Sequence, residues 1–431
     1  MKIHLRVVEG PDSGRAFSFD ARDRFVIGRA PTAHFQIRDD PFFSRHHLML
    51  EVDPPNVLLQ DLKSRNGTHV NGAKVQAPVA LAHGDQLSGG KTRIQLILEE
   101  DAVAPTQGPA PRDDKVAVRC LRCDAPAANE LPRTRAESMA YFCDACQRAL
   151  LDEPRLVPGY QVVKELGRGG MGAVYLAVHE VLRRRHAIKM ILPRAAISQR
   201  VRDMFLREAA AQAALDHPRI VRVHDFQETS RGIFCLVMDY VDGKNAEQLL
   251  EASPGGLEPR LAAQIVAQGL EGLAHAHARG IVHRDIKDAN LLVGRDAQGG
   301  LDVKLSDFGL AKSYETTGAS GFTRSGDVSG TMPYMPPEQI LDFKNVRPPA
   351  DLYSMGATLY HLLTNEYAYN FRREMDPLVT ILEEDIVPIA RRRSTVPAAI
   401  AAVAERALRK DPAQRYASAA EMRAALIAAA S

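Results

Sequence analysis

The stretch that decides the fold of the larger, carboxy-terminal part of this chain is HRDIKDAN at residues 283–290, followed by DFG at residues 307–309. Upstream of it, short β-like runs such as YQVVKEL and HAIKMI give way to longer amphipathic stretches such as LAAQIVAQGLEGLAHAHARG. Apolar residues that alternate indicate strands, and a period near 3.6 indicates helices. The pattern therefore predicts an α+β unit in which a strand-rich lobe precedes a helical lobe.

A glycine-rich run, GRGGMGAV at residues 167–174, follows the first of these predicted strands. Glycines at such spacing let backbone N–H groups approach a phosphate without obstruction by Cβ atoms. The run alone is ambiguous, because G-x-G-x-x-G also occurs in dinucleotide-binding folds and in ordinary turns. Lys189, in a second apolar strand, and Glu208, in an amphipathic stretch, are positioned to form an ion pair, although most such pairs are surface features.

The joint order of these motifs resembles that of the bacterial, eukaryotic-like (Hanks-type) Ser/Thr protein kinases, over residues 158–428. The resemblance implies that Lys189 binds the α- and β-phosphates of ATP and that Glu208 fixes this Lys. It further implies that Asp285 deprotonates the substrate hydroxyl, Lys287 steadies the γ-phosphate, and Asn290 and Asp307 hold Mg²⁺ or Mn²⁺. Phosphoryl transfer requires positioning and charge neutralisation more than covalent help, and these side chains supply both.

The same resemblance implies an ATP-binding site and an activation loop. The implied ATP-contacting positions are Leu166, Gly167, Arg168, Gly169, Gly170, Met171, Gly172, Val174, Ala187, Lys189, Met238, Asp239, Val241 and Leu292. For the apolar members of this set, plain core packing is an equally good explanation. In the loop after DFG, the candidate phosphorylation sites are Thr316, Thr317 and Thr323, because Arg284 can pair with a loop phosphate in this family.

The amino-terminal residues 1–98 alternate apolar and polar side chains over short runs, and turn signals such as Asn71-Gly72 separate the runs. This pattern predicts an all-β sandwich. The motifs Gly28-Arg29, SRHH at residues 44–47 and SRNGT at residues 64–68 resemble those of a forkhead-associated (FHA) domain, which reads phosphothreonine. The resemblance implies phosphopeptide binding by Arg29, Ser44, Arg45 and Asn66, with His47 bracing the loop beneath them. Arginine forks and hydroxyl or amide donors are suited to phosphate.

Two short segments separate these domains. Residues 99–114, EEDAVAPTQGPAPRDD, have the composition of an extended linker. Residues 115–150 are too few for an independent core, and they carry two C-x-x-C pairs, which consist of Cys120, Cys123, Cys143 and Cys146. This spacing predicts a small module stapled by one structural Zn²⁺, with a disulfide or free thiols as the alternative.

Composition narrows the function classes further. The formal net charge of +2 gives no field suited to nucleic acid, and the C-x-x-C region lacks a basic stripe interleaved with aromatic residues. No apolar run reaches the roughly 18 residues of a membrane helix, and the first residues lack the apolar stretch of a signal peptide. We therefore expect a cytoplasmic protein that binds neither membranes nor nucleic acid.

Together these features predict a multidomain Ser/Thr protein kinase that phosphorylates proteins and whose FHA domain binds phosphothreonine on itself or on a partner. The alternative is a phosphothreonine-binding scaffold whose kinase fold is regulatory. Intact Lys189, Asp285, Asn290 and Asp307 favour the first hypothesis.

Overall fold

The computed structural model describes residues 2–19, 23–53, 56–99, 115–119, 126–132, 157–169, 172–191, 209–228, 234–308, 331–342, 345–372 and 374–431. The chain divides into two compact units. The first contains residues 1–107, 254–262 and 320–431, and the second contains residues 108–253 and 263–319. Among the described residues, no helix combines the length and the apolar character that crossing a membrane requires.

The amino-terminal part of the first unit is built from strands in two sheets. The strands are β1 (Lys2–Glu9), β2 (Ala16–Phe19), β3 (Asp23–Gly28), β4 (Phe35–Gln36), β5 (Leu48–Asp53), β6 (Asn56–Asp61), β7 (His69–Val70), β8 (Ala73–Lys74), β9 (Val79–Leu81), β10 (Gln86–Gly89) and β11 (Thr92–Glu99). One sheet has the order β2-β1-β11-β10-β7-β8, and the other has the order β4-β3-β5-β6-β9. The predicted all-β architecture of this region is confirmed.

The alternation in β1 explains why these residues form a sandwich. Ile3, Leu5 and Val7 are buried, and Leu5 lies opposite Leu96 in the antiparallel pairing of β1 with β11. Because successive side chains of a strand point to opposite faces, one face of this sheet is apolar. That face packs with residues of the other sheet, such as Leu50, in one hydrophobic core. Each large apolar side chain buried there contributes on the order of 2 kcal/mol.

The segment between the two predicted domains contributes one antiparallel hairpin, formed by β12 (Lys115–Arg119) and β13 (Pro126–Pro132). The four Cys of the predicted zinc module lie outside the described residues, as do residues 100–114 of the predicted linker. The zinc site therefore stays a prediction from the sequence.

The second unit contains a five-stranded antiparallel sheet of order β14-β15-β16-β18-β17 and a three-stranded sheet of order β19-β20-β21. Their strands are β14 (Tyr160–Gly169), β15 (Gly172–His179), β16 (Arg185–Ile191), β17 (Val223–Glu228), β18 (Phe234–Asp239), β19 (Lys244–Asn245), β20 (Leu291–Arg295) and β21 (Leu301–Leu305). Helix α1 (Ala246–Glu251) begins at a capping box, in which Asn245 and Gln248 exchange side-chain to backbone hydrogen bonds. Helix α2 (Pro259–His277) follows, and a 3₁₀ turn covers Asp288–Asn290.

The remaining helices belong to the first unit. They are α3 (Pro337–Leu341), α4 (Pro348–Thr364), α5 (Pro377–Glu383), α6 (Ile389–Arg392), α7 (Ala398–Ala407) and α8 (Ala419–Ala430), with 3₁₀ turns at Met332–Tyr334 and Pro412–Gln414. Buried Arg415 forms a two-pronged ion pair with Glu338, at 2.5 and 2.8 Å. Such planar, double contacts are the strong kind of Arg–carboxylate pair.

Candidate active site and phosphopeptide site

Lys189 reaches the candidate active site from the middle of β16. It lies opposite Val174 of β15 and Leu236 of β18, so neighbouring strands hold its backbone on both sides. Its Nζ lies 2.5 Å from Oδ1 of Asp307, and both side chains are largely shielded from solvent. Glu208, the ion-pair partner that the sequence predicts for Lys189, lies outside the described residues.

Asp285 lies in the loop that precedes β20, and two predicted site residues contact its carboxylate. Nδ2 of Asn290 lies 3.2 Å from Asp285 Oδ2 and donates a 2.7 Å hydrogen bond to the Asp285 carbonyl oxygen. Nζ of Lys287 lies 3.3 Å from the same Oδ2. Both contacts fall on one carboxylate oxygen and therefore fix the orientation of the Asp285 side chain.

The two segments that carry these residues are joined by hydrogen bonds at Ser306. Its N–H and its hydroxyl both donate to the carbonyl oxygen of Asn290, at 2.9 and 3.2 Å. Buried His283 lies 2.9 Å, through Nε2, from the Ser306 carbonyl oxygen, and its ring lies 4.4 Å from that of Phe308. The tertiary structure thereby brings Asp307 beside the loop of Asp285, 22 residues earlier in the chain.

Two residues of this region adopt a left-handed backbone conformation, Arg284 with φ of 65° and Asp307 with φ of 59°. For non-glycine residues this conformation is uncommon and costs about 1 kcal/mol or more. Strained positions of this kind cluster at functional sites. Their occurrence next to Asp285 and at Asp307 supports the assignment of this region as a reactive centre.

The apolar residues predicted to enclose adenine lie in one cluster. Ala187 and Met238 are buried members of it, and Val174, Val241 and Leu292 are partly buried and pack against it. These side chains come from β15, β16, β18, the segment after β18, and β20. The structure therefore assembles them into a single apolar surface, as the ATP-site prediction requires.

The glycine-rich segment forms the ends of β14 and β15, which pair antiparallel up to Gly169 opposite Gly172. Leu166 is more than one-third exposed, whereas Arg168 forms an ion pair with Glu165 at 2.6 Å. Gly170 and Met171 lie outside the described residues, as do Thr316, Thr317 and Thr323.

Asp239, the last residue of β18, has contacts that the sequence does not predict. Its carboxylate lies 2.7 Å from Nε2 of His224 and 3.3 Å from Nζ of Lys304. Burial disfavours the charged form of Asp239, but the His224 hydrogen bond and the Lys304 charge hold its pKa below the ordinary value. Asp239 thus links β17, β18 and β21 beside the predicted adenine surface.

In the first unit, loops at one end of the sandwich bring together Arg29, Ser44, Arg45 and Asn66, which we call the phosphopeptide cluster. The N–H of Arg29 donates to the carbonyl oxygen of Ser44 at 2.9 Å, and Asn66 Nδ2 donates to the Phe42 carbonyl oxygen at 2.7 Å. The Ser44 hydroxyl accepts a hydrogen bond from the N–H of Arg65. A Cβ atom at Gly28 would overlap the Arg45 carbonyl oxygen, so only glycine permits this close approach of the loops.

His47 lies beneath the phosphopeptide cluster and is fully buried. Its Nδ1 accepts a hydrogen bond from the Ser44 N–H at 2.9 Å, and its Nε2 lies 3.3 Å from the Gly67 carbonyl oxygen. These contacts suit the neutral tautomer that is protonated at Nε2. Burial lowers the pKa of His47, although the nearby Asp61 and Asp40 carboxylates oppose that shift. The predicted bracing role of His47 agrees with this geometry.

Two carboxylates that the sequence reasoning missed organise the same loops. Asp61 accepts hydrogen bonds from the hydroxyls of Ser64 and Thr68, at 2.6 and 2.5 Å. Buried Asp40 accepts from the Thr92 hydroxyl at 2.8 Å and from the N–H of Lys91 at 2.7 Å. The Asp61 contacts are local, and an Asp at the end of a strand commonly forms them, so a sequence signal for Asp61 existed. These Asp40 contacts join positions that are far apart in the sequence, so no such signal existed for them.

Two regions of the chain match known protein families. Residues 160–426 match the Protein kinase domain family, which is more than half of the chain. The chain belongs to the protein kinase family. Residues 25–90 match the FHA domain family.

Within the described residues, no group of three or more His, Cys, Asp or Glu side chains is arranged to hold a metal ion.

Two curated relatives of this chain come from bacteria. Serine/threonine-protein kinase PknJ of Mycobacterium tuberculosis is 37% identical over 273 residues, which are 63% of this chain and 45% of that protein. PknB of Mycolicibacterium smegmatis is 38% identical over 271 residues, or 62% of this chain and 42% of that protein. The chain spans less than half the length of these relatives.

Solved structures show the same fold. The crystal structure of a double mutant of the Mycobacterium tuberculosis PknI kinase domain has a TM-score of 0.51 and 29% identity, and covers 64% of this chain and 96% of that chain. A crystal structure of Rad53 residues 1–466 in complex with AMP-PNP has a TM-score of 0.51 and 20% identity, with 98% of each chain covered. The second likeness concerns the fold alone.

Proposed function

We propose that this chain transfers the γ-phosphate of ATP to Ser or Thr hydroxyls of proteins. The observation that carries the proposal is the convergence of Asp285, Lys287 and Asn290 around one carboxylate oxygen, with Asp307 and Lys189 paired on the neighbouring segment. A carboxylate base, two cations and two oxygen ligands for a divalent ion are the groups that phosphoryl transfer requires.

Asp285 is the group that receives the proton of the substrate hydroxyl. Its carboxylate is held in one orientation by Asn290 and Lys287, so it needs no reorganisation when the hydroxyl arrives. Lys287 and Lys189 would supply positive charge to the phosphate groups of bound ATP. In a partly buried site this charge stabilises the developing negative charge of the transition state more strongly than it would in water.

Asn290 and Asp307 suit the Mg²⁺ that ATP chemistry needs. Both amide hydrogen bonds of Asn290 use Nδ2, so its Oδ1 remains the atom suited to a cation, and Asp307 supplies carboxylate oxygens. Hard oxygen donors are the ligands that Mg²⁺ prefers. When bound, the ion would neutralise charge on the phosphates. The Lys189–Asp307 contact indicates that a cation is already attracted to this carboxylate.

The direct test is to incubate the purified full chain with Mg-ATP and then to map phosphorylated residues by mass spectrometry. We expect phosphate on Ser or Thr, including hydroxyls between residues 309 and 330. A chain that carries no phosphate and transfers none to generic protein substrates would favour the alternative of a phosphothreonine-binding scaffold.

We further propose that residues 1–98 form an FHA domain that binds phosphothreonine peptides through the phosphopeptide cluster. The closeness of its loops and their bracing by His47 support this role. A phosphothreonine made by the same chain is one source of ligand, because a tethered peptide has a high effective concentration. Binding of a phosphorylated peptide, but not of its unphosphorylated form, tests this assignment.

For residues 115–150 we propose a structural Zn²⁺ bound by Cys120, Cys123, Cys143 and Cys146, on the basis of their spacing. A reducing compartment such as the cytoplasm keeps these thiols available for metal. Elemental analysis should find about one zinc ion per chain, consistent with a closed four-Cys site. Metal-free protein whose four thiols react freely with an alkylating reagent would contradict this proposal.

A further inference from the structure

Helix α5 (Pro377–Glu383) contacts the phosphopeptide cluster within the first unit. Nη2 of Arg45 lies 2.5 Å from Oε2 of Glu383, and Nδ1 of His46 lies 2.8 Å from Oε1 of the same carboxylate. Only 12% of the Glu383 side chain is exposed. One carboxylate thus joins two consecutive residues of the SRHH motif to a helix more than 300 positions away in sequence.

A second contact lies at the other end of α5. Lys63 directly precedes the SRNGT segment. Its Nζ lies 3.3 Å from the carbonyl oxygen of Met375. Asp376, the N-cap of α5, is buried, and burial raises its pKa while the nearby Lys63 charge opposes that rise. Contacts from two separate loops, at both ends of α5, define a docking surface and not an isolated ion pair.

The chemistry of Glu383 bears on phosphate binding. Burial opposes its ionisation, but hydrogen bonds from His46 and the charge of Arg45 hold its pKa below the ordinary value. The carboxylate is therefore charged at neutral pH. It presents two oxygens to Arg45 and His46, as a phosphate group would, and charge-assisted hydrogen bonds to Arg are strong. The Arg45 side chain is 60% exposed, but its Nη2 lies against Glu383 and cannot make the same contact with a phosphothreonine at once.

We propose that α5 is an intramolecular docking surface for the FHA loops, and that a phosphothreonine peptide competes with Glu383 for Arg45. This inference rests on the proposed phosphothreonine-binding function. A phosphate carries nearly two charges where Glu383 carries one, so it can displace the carboxylate. While Glu383 is engaged, only the fraction of molecules with Arg45 released binds the peptide, and the apparent affinity falls by that fraction.

The experiment uses the full chain with Asp285→Asn, so that no phosphate is added during the measurement. The probe is a fluorescent peptide of residues 318–328 with phosphate on Thr323, compared with its unphosphorylated form. We expect Glu383→Gln to tighten binding of the phosphopeptide about tenfold, which is about 1.4 kcal/mol. Glu384→Gln, which removes the neighbouring negative charge, is the matched control and should leave the affinity within about twofold. Equal affinity of the parent and Glu383→Gln would overturn the competition.

A second measurement does not depend on the peptide. Hydrogen exchange of residues 44–47 and 377–383 should accelerate in Glu383→Arg, because two cations then face each other. The double variant Arg45→Glu, Glu383→Arg should restore protection. Unchanged exchange in Glu383→Arg would overturn the docking. If instead exchange responds as expected and no variant binds the phosphopeptide, the docking stands and the proposed ligand of the FHA domain is wrong.

Discussion

The two candidate phosphate-handling sites of this chain are built on opposite principles. The phosphopeptide cluster consists of donor residues, while Asp61 serves the loop behind it and Glu383 of α5 lies against Arg45. The candidate active site instead contains two carboxylates of its own, Asp285 and Asp307, each beside a Lys. A site that only binds phosphate needs groups that attract it. A site that transfers phosphate must also remove a proton and hold a metal ion, which requires oxygen acceptors as well as cations.

The backbone conformations of the two sites are more alike. Arg284 and Asp307 are held in left-handed conformations at the active site. Beside the phosphopeptide cluster, Lys63 has a left-handed φ of 51°, and a Cβ atom at Gly28 would overlap the Arg45 carbonyl oxygen. Left-handed non-glycine residues at both sites imply that the surrounding structure determines the loop geometry in each.

The largest expected effect separates the two sites by chemistry. Asp285→Asn should reduce phosphate transfer by about 10²-fold or more, because the acceptor of the substrate proton is lost. Binding of a phosphothreonine peptide should not change. A radiolabel transfer assay measures the first quantity, and Asp296→Asn, in an exposed turn, is the control. Transfer within a factor of a few of the wild type would contradict the assignment of Asp285.

The variant Arg29→Ala should impair peptide binding and leave phosphate transfer intact. We expect it to weaken binding of a phosphothreonine peptide about tenfold or more, because a charge-assisted hydrogen bond contributes about 1.5 to 3 kcal/mol. Transfer to a generic substrate peptide should stay unchanged. Fluorescence anisotropy of the full chain measures the affinity, and Arg93→Ala, on the exposed side of β11, is the matched control. Unaltered affinity in Arg29→Ala would show that Arg29 does not contact the phosphate.

Added salt should weaken phosphopeptide binding by a smaller factor than the Arg29→Ala substitution does. The phosphopeptide cluster is partly exposed, so raising the salt to about 1 M, where the Debye length is about 3 Å, should weaken peptide binding severalfold. The unphosphorylated peptide should show little dependence. A titration over increasing salt measures the slope. An affinity that does not respond to salt would indicate apolar recognition instead.

The smallest expected effect concerns acid sensitivity of the FHA sandwich. The pKa of buried His47 is lowered by burial, so the unfolded state binds more protons than the folded state below the ordinary His pKa of about 6.5. Stability should therefore fall as the pH falls from about 6.5 toward the lowered value. Hydrogen exchange of β5 and β6, corrected for its intrinsic pH dependence, measures this. A His47→Gln variant should lose that part of the dependence, and an unaltered pH profile in it would argue against His47.

Much of both sites follows from the sequence because their residues lie in short motifs. Asp285, Lys287 and Asn290 fall within six positions, and the contacts among them are local. The same holds for the loop of Ser44 and His47. Alternation in β1 and β11 likewise predicted the all-β sandwich, since a strand with one apolar face must bury it. Composition and spacing thus determined the domain types and the chemical groups.

Only the tertiary structure decided which distant residues meet. The Lys189–Asp307 contact, the binding of Asp239 by His224 and Lys304, and the pairing of Arg45 with Glu383 join segments between 15 and 338 positions apart. No periodicity encodes such pairs, because they depend on how strands and loops pack after the chain has folded. In the sequence, Glu383 and Arg45 are ordinary surface charges; the fold shields Glu383 from water and places it against Arg45.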